Sequence, residues 1–158
     1  KLGPNADPLE IVNLVRLLNP ANERGRITLI SRMGATKVAG ALPLLLHSIQ
    51  KSGLHVTWSC DPMHGNAIKT QNGIKTRDFK SILAEVNNTE AVHVEMGSIL
   101  GGVHFELTGE NVTECLGGGA GLEEEHLTLN YRTYCDPRLN YSQSMEMAYL
   151  ISNHFGRK

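Results

Sequence analysis

Hydrophobic positions along the chain alternate between two rhythms. Over residues 7–18 (DPLEIVNLVRLL), Ile11, Leu14, Val15 and Leu18 fall on one face at helical spacing, behind Asp7 as a cap and Pro8 at the first helical position. Residues 26–31 (RITLIS) change to a short β-branched and aliphatic run, the signature of a strand. An apolar stripe over 34–53 predicts a second helix ending at Gly53, with Pro43 marking a kink or a later start. Residues 55–60 (HVTWSC) read as the second strand, 76–98 as a third helix, 101–109 (GGVHFELTG) as the third strand and 140–155 as a last helix capped by Asn140 or Ser142.

Strands that alternate with helices imply βαβ units and a parallel sheet. Two architectures accommodate three such strands: a small open doubly wound domain, or part of a (β/α)₈ barrel, which needs roughly 250 residues when whole. Strand alternation separates them. Ile27, Leu29, Val56, Trp58, Val103, Phe105 and Leu107 form a consistently apolar face for helices. Thr28, Ile30, Arg32, Thr57, Ser59, Asp61, His104 and Glu106 form a mixed face that turns polar towards the strand ends. A barrel interior fits that second face better than an open sheet does.

Charge changes the picture by exclusion. Fifteen Lys and Arg against sixteen Asp and Glu leave a formal net charge of -1, so neither nucleic acid nor an anionic membrane is an expected partner. No apolar run approaches the roughly 20 residues that span a bilayer, and the opening KLGPNADP has no apolar core, so no signal peptide is expected. Three cysteines (Cys60, Cys115 and Cys135) form no disulfide framework. Cys60 and Cys115 read as small buried hydrophobes. The triple glycine at 117–119 lacks the flanking residues of a phosphate loop and reads as a flexible lid.

Chemistry-bearing side chains collect at the predicted strand ends, where parallel α/β folds bind ligands. His64 follows the second strand, Glu106 ends the third and Asp136 lies in YCDPRLN beyond it. One imidazole and two carboxylates suit a divalent cation such as Mn²⁺, Fe²⁺, Co²⁺ or Zn²⁺. Capping explains these residues equally well, Asp61 and His64 in their turn and Asp136 at the start of the element that follows it. Arg32 at the end of the first strand suits a carboxylate or phosphate, or an ion pair with a neighbouring acid. Lys75 and Arg77 precede a helix N-terminus, where a cation opposes the helix dipole and invites an anion, unless the two simply lie on a solvated surface.

ISRMG, WSCDPMHGN, GIKTR, GGVHFELTGENVTECLGG and YCDPRLN, in that order, resemble the class II (plant-type) 3-deoxy-D-arabino-heptulosonate 7-phosphate (DAHP) synthases over essentially the whole chain. The resemblance implies a (β/α)₈ (TIM) barrel of which residues 1–158 are a single C-terminal segment, from the tip of strand five through helix eight, with the N-terminal part absent. It implies a transferase that condenses phosphoenolpyruvate with erythrose 4-phosphate, the first step of the shikimate pathway and of aromatic amino acid biosynthesis. The metal site of that family places its His on His64, its Glu on Glu106 and its Asp on Asp136, and its Cys on nothing present here. Mn²⁺ is the expected cation, ahead of Co²⁺, Fe²⁺ and Zn²⁺. Lys1, Arg32 and His64 fall on catalytic and phosphoenolpyruvate-contacting positions, and Lys75 on a contact to erythrose 4-phosphate. Expected partners are the two substrates, the remaining N-terminal part of the same enzyme and further copies in a homo-oligomer, in the cytoplasm of a bacterium or fungus or the plastid stroma of a plant. On its own the segment is expected to be inactive. Rival readings are another metal-dependent barrel lyase or hydrolase acting on a phosphorylated acid, a non-catalytic partner-binding fragment, and a phenazine-pathway relative.

Overall fold

The structure is a computed structural model and describes residues 1–155; the last three residues of the expected segment lie outside them. The chain divides into two compact units, one of residues 1–65 and 84–104, the other of residues 66–83 and 105–158. No helix among the described residues is long and apolar enough to cross a membrane.

The first unit is a parallel sheet under helices. Its strands β1 (Thr28–Ser31), β2 (Thr57–Cys60) and β5 (Leu100–Val103) lie in the order β1-β2-β5, all parallel. Leu2 extends the sheet beyond β1: its N–H bonds Ile30 O and its carbonyl accepts from Arg32, both at 2.8 Å. Helix α1 (Pro8–Leu18) starts where Asp7 accepts a hydrogen bond from the Leu9 N–H at 2.9 Å. Helix α2 (Val38–Ser52) starts four residues later than the sequence predicts and still contains Pro43. The core joins Val12 and Val15 of α1, Leu42, Leu46 and Ile49 of α2, Leu29, Trp58 and Val92. Leu29 and Trp58 face it, whereas Thr28 and Thr57 on the opposite face are exposed, so the predicted division of faces holds for β1 and β2.

The second unit holds a hairpin that the sequence reading treats as loop. Strands β3 (Ala67–Lys69) and β4 (Lys75–Arg77) pair antiparallel, with Ile68 opposite Thr76. The turn runs through Asn72-Gly73, and Gly73 takes a φ of 78° that few other residues tolerate. Helix α3 (Phe79–Glu95) therefore starts after the hairpin rather than at 76. The third predicted strand is also shorter than expected. Pairing in β5 ends at Val103, and in the rest of the expected strand Leu107 makes an isolated bridge to Leu139. Leu107 is 52 % exposed, which corrects its assignment to a helix-covered face. The last helix, α4 (Tyr141–Phe155), has the expected cap: Asn140 Oδ1 accepts from Gln143 N while Gln143 Oε1 accepts from Asn140 N, a reciprocal capping box.

Candidate functional site

In the first unit, Lys1, Asp61 and His64 come together beyond the ends of β1 and β2. Asp61 is fully buried. Its Oδ1 accepts the N–H groups of Met63 and His64 at 3.0 and 3.1 Å, so it does cap the turn. Its Oδ2 meets His64 Nδ1 at 2.7 Å and Lys1 Nζ at 2.6 Å. Burial works to raise the Asp61 carboxyl, but the bond from Lys1 and the backbone bond from His64 hold it below its ordinary value. An ionised carboxylate at Nδ1 fixes the imidazole tautomer with its proton on Nδ1, which leaves the lone pair on Nε2. This is the arrangement that metal-ligating histidines use. Turn cap and ligand orientation are thus two duties of one carboxylate.

Arg32 lies at the end of β1 with an exposed side chain. The ion pairs of the described residues include none on Arg32. The residues that follow it, Met33 and Gly34, are buried and donate to Glu85 Oε1 at 2.8 and 2.9 Å.

The second unit holds Lys75, Arg77, Glu106 and Asp136. Arg77, at the end of β4, is completely buried, whereas Lys75, two residues earlier on the same strand face, stays partly exposed. Arg77 Nη1 bonds both Glu106 Oε2 and the Pro137 carbonyl, and its Nη2 lies 3.9 Å from Asp136 Oδ1. Lys75 Nζ bonds Asp136 Oδ1. One buried guanidinium therefore gathers the two carboxylates, and the Lys75 ammonium offsets the second of them. They border an open cavity of about 990 Å³ whose wall also includes Tyr131, Thr133 and Arg138.

The loop that carries Asp136 is anchored by Glu114, also fully buried. The Glu114 carboxylate accepts from the backbone of Arg132, Thr133 and Arg138 at 3.2, 2.9 and 2.9 Å, and from Arg138 Nε and Nη2 at 3.0 and 2.7 Å. Burial would raise its carboxyl, yet the bonds from Arg138 and the loop backbone hold it below the ordinary carboxylate value. Residues 117–119 touch α4. Gly119 N donates to Glu146 at 2.6 Å, and Gln143 donates to the Gly117 carbonyl at 3.0 Å. Burial pushes the Cys60 and Cys115 thiols up to about 12, while Cys135 is exposed.

Sequence reasoning passed over Glu85 and Glu114 and treated Arg77 only as a helix-start cation. Asn72-Gly73 was the available signal for the hairpin whose second strand carries Lys75 and Arg77. Glu85 and Glu114 leave no local signal, because what they bind lies far away along the chain.

Residues 1–152 match the profile of the Class-II DAHP synthetase family. The chain is 48% identical over 157 residues to the phospho-2-dehydro-3-deoxyheptonate aldolase of Neurospora crassa, covering 98% of this chain and 33% of that protein. It is also 48% identical over 152 residues to the phospho-2-dehydro-3-deoxyheptonate aldolase AroG of Mycolicibacterium smegmatis, covering 96% of this chain and 33% of that one. The chain thus spans about a third of the length of these relatives.

Proposed function

Since the chain belongs to the Class-II DAHP synthetase family, we propose that the protein containing it condenses phosphoenolpyruvate with erythrose 4-phosphate to form DAHP. In this reading, β1, β2, β5 and the Lys1-Leu2 segment are consecutive strands of a (β/α)₈ barrel. Their carboxyl ends carry the site. The parallel order of these strands and the position of Leu2 beside β1 support it.

His64, Glu106 and Asp136 are proposed to hold a divalent cation. The donor set fits: one imidazole nitrogen and carboxylate oxygens suit Mn²⁺, Co²⁺, Fe²⁺ or Zn²⁺. The observation that carries the assignment is the gathering of Glu106 and Asp136 by the buried Arg77 guanidinium. Two carboxylates brought onto one cation are already close enough in charge and space to suit another. When bound, a divalent ion would supply Lewis acidity to the aldehyde oxygen of erythrose 4-phosphate.

The chain's own residues do the rest. Arg32 presents an exposed guanidinium whose paired N–H groups match the carboxylate of phosphoenolpyruvate. Lys1, steadied by Asp61, adds a second positive charge near the phosphate ester. Lys75 would receive the erythrose phosphate, exchanging its Asp136 contact for that anion. Carbon-3 of phosphoenolpyruvate bonds to the aldehyde carbon, water adds at carbon-2 and inorganic phosphate departs. Cationic side chains offset the charge as it moves from one oxygen to another.

The test is turnover by the full-length protein. Release of inorganic phosphate from phosphoenolpyruvate is expected to require erythrose 4-phosphate, to stop with a chelator and to return with added Mn²⁺. Phosphate release that ignores erythrose 4-phosphate, or no release at all, overturns the assignment.

A further inference from the structure

We propose that Glu85 is a positioning residue, which locks the turn after β1 against the turn after β2 and so sets Arg32 in register with His64. The role rests on the reading of Arg32 and His64 given above; the lock itself does not.

All of its parts lie within the first unit. Past Ser31 the backbone leaves the ladder, and the Met33 and Gly34 N–H groups have no strand to bond. Buried N–H groups need acceptors. Both donate to one oxygen of Glu85, from α3, 52 and 51 residues away in the chain. Glu85 has no exposed surface, so water cannot take over that duty. A second tie sits nearly one helical turn farther along α3, where Asn88 Nδ2 donates to the Ala35 carbonyl at 3.1 Å. Gly34 itself has a φ of 87°, which lets the chain swing out of β1 and start α2 within a few residues.

The turn after β2 closes against this clamped segment. A Cβ on Gly65 would collide with the Gly34 backbone nitrogen and stand 2.9 Å from the Gly34 Cα, nearer than real Cβ atoms come, with the Met33 carbonyl carbon at 3.0 Å. Gly65 directly follows His64. Arg32 directly precedes Met33, and its N–H bonds the Leu2 carbonyl. Lys1, Arg32 and His64 thus stand on three backbone segments that meet here: Leu2 bonds Arg32, and the turn that carries His64 and Gly65 abuts Met33-Gly34. Glu85 holds that segment from one side and Gly65 lets the other turn reach it.

The experiment uses the full-length protein with Glu85→Ala, Glu85→Gln and Gly65→Ala. Because a misplacement of about 1 Å costs on the order of 100-fold, Glu85→Ala and Gly65→Ala are each expected to raise the KM for phosphoenolpyruvate about tenfold or more. The KM for erythrose 4-phosphate should stay within about twofold. Glu85→Gln keeps an oxygen for both N–H groups and is expected to remain near wild type. A purely structural role would lower the melting temperature and leave both KM values alone. That result, in variants folded by circular dichroism, overturns the proposal. Hydrogen exchange in the wild-type protein decides the lock even if the variants fail to fold: the Met33 and Gly34 amides are expected to be protected like those of β1. Exchange at open-loop rates would refute it. A wild-type protein that does not turn over the two substrates refutes the functional reading instead, and leaves the exchange result standing.

Discussion

Asp61 Oδ2 lies 2.7 Å from His64 Nδ1, and an ionised carboxylate there keeps the imidazole proton on Nδ1. Asn at position 61 would still cap the turn through its oxygen, but its NH₂ would face Nδ1 and drive the proton to Nε2. Asp61→Asn is expected to weaken Mn²⁺ binding by roughly 10–100-fold, the usual effect of losing a carboxylate behind a ligating histidine. Isothermal titration of the full-length protein measures it. Wild-type affinity in Asp61→Asn would show that the contact is a turn cap and nothing more.

Arg77 has no exposed surface, whereas the side chains of Glu106 and Asp136 are 27 % and 23 % exposed. Arg77→Met strands both carboxylates beside an apolar side chain. A fully buried pair broken this way costs about 3–5 kcal/mol, and the water still reaching the two acids puts the expected loss at about 2–3 kcal/mol. Divalent cation should recover part of it, because an ion that binds only the folded state adds stability. Thermal unfolding with and without Mn²⁺ is expected to show a larger metal-induced rise in Arg77→Met than in wild type.

How much of this arrangement the sequence revealed depended on distance along the chain. Asp7-Pro8 marked the start of α1, Asn140 the start of α4, and Asp61 and His64 are neighbours in the same turn. Local chemistry sufficed for each. Arg77 and Glu114 were different. Arg77 meets Glu106 29 residues away, and Glu114 meets Arg138 24 residues away. No pattern in the intervening sequence marks either pair. The third strand was overextended because HFEL alternates like a strand, yet the chain beyond His104 bridges Leu139 instead of continuing beside β2.

Acid should destabilise the fold in two stages. His93 is buried against Trp58, with ring centroids 5.8 Å apart, and burial lowers its pKa to about 4. The unfolded chain takes up that proton near pH 6.5 and the folded chain does not, so stability falls as pH drops from 6.5 towards 4. The loss amounts to about 3 kcal/mol on the scale of 1.36 kcal/mol per unit. Asp61 and Glu114 are held below their ordinary values; their contribution is present above the unfolded carboxyl range and disappears as pH falls below it. Urea unfolding of wild type and His93→Phe between pH 7 and 4 separates the stages. The first slope is expected to vanish in the variant and the second to persist.

Thiol reactivity follows burial. Cys60 and Cys115 are buried with pKa values pushed up to about 12, and Cys135 is exposed. Under native conditions a maleimide is expected to label Cys135 alone among the three, and all three after denaturation, by peptide mass.

The central claim is that His64, Glu106 and Asp136 share one divalent cation. Titration of Mn²⁺ into the metal-stripped full-length protein, alongside His64→Ala, Glu106→Gln and Asp136→Asn, tests it directly. The account predicts one site in the wild type and a dissociation constant raised at least about 100-fold in each variant. Wild-type affinity in any one of the three, with the fold intact, would contradict it.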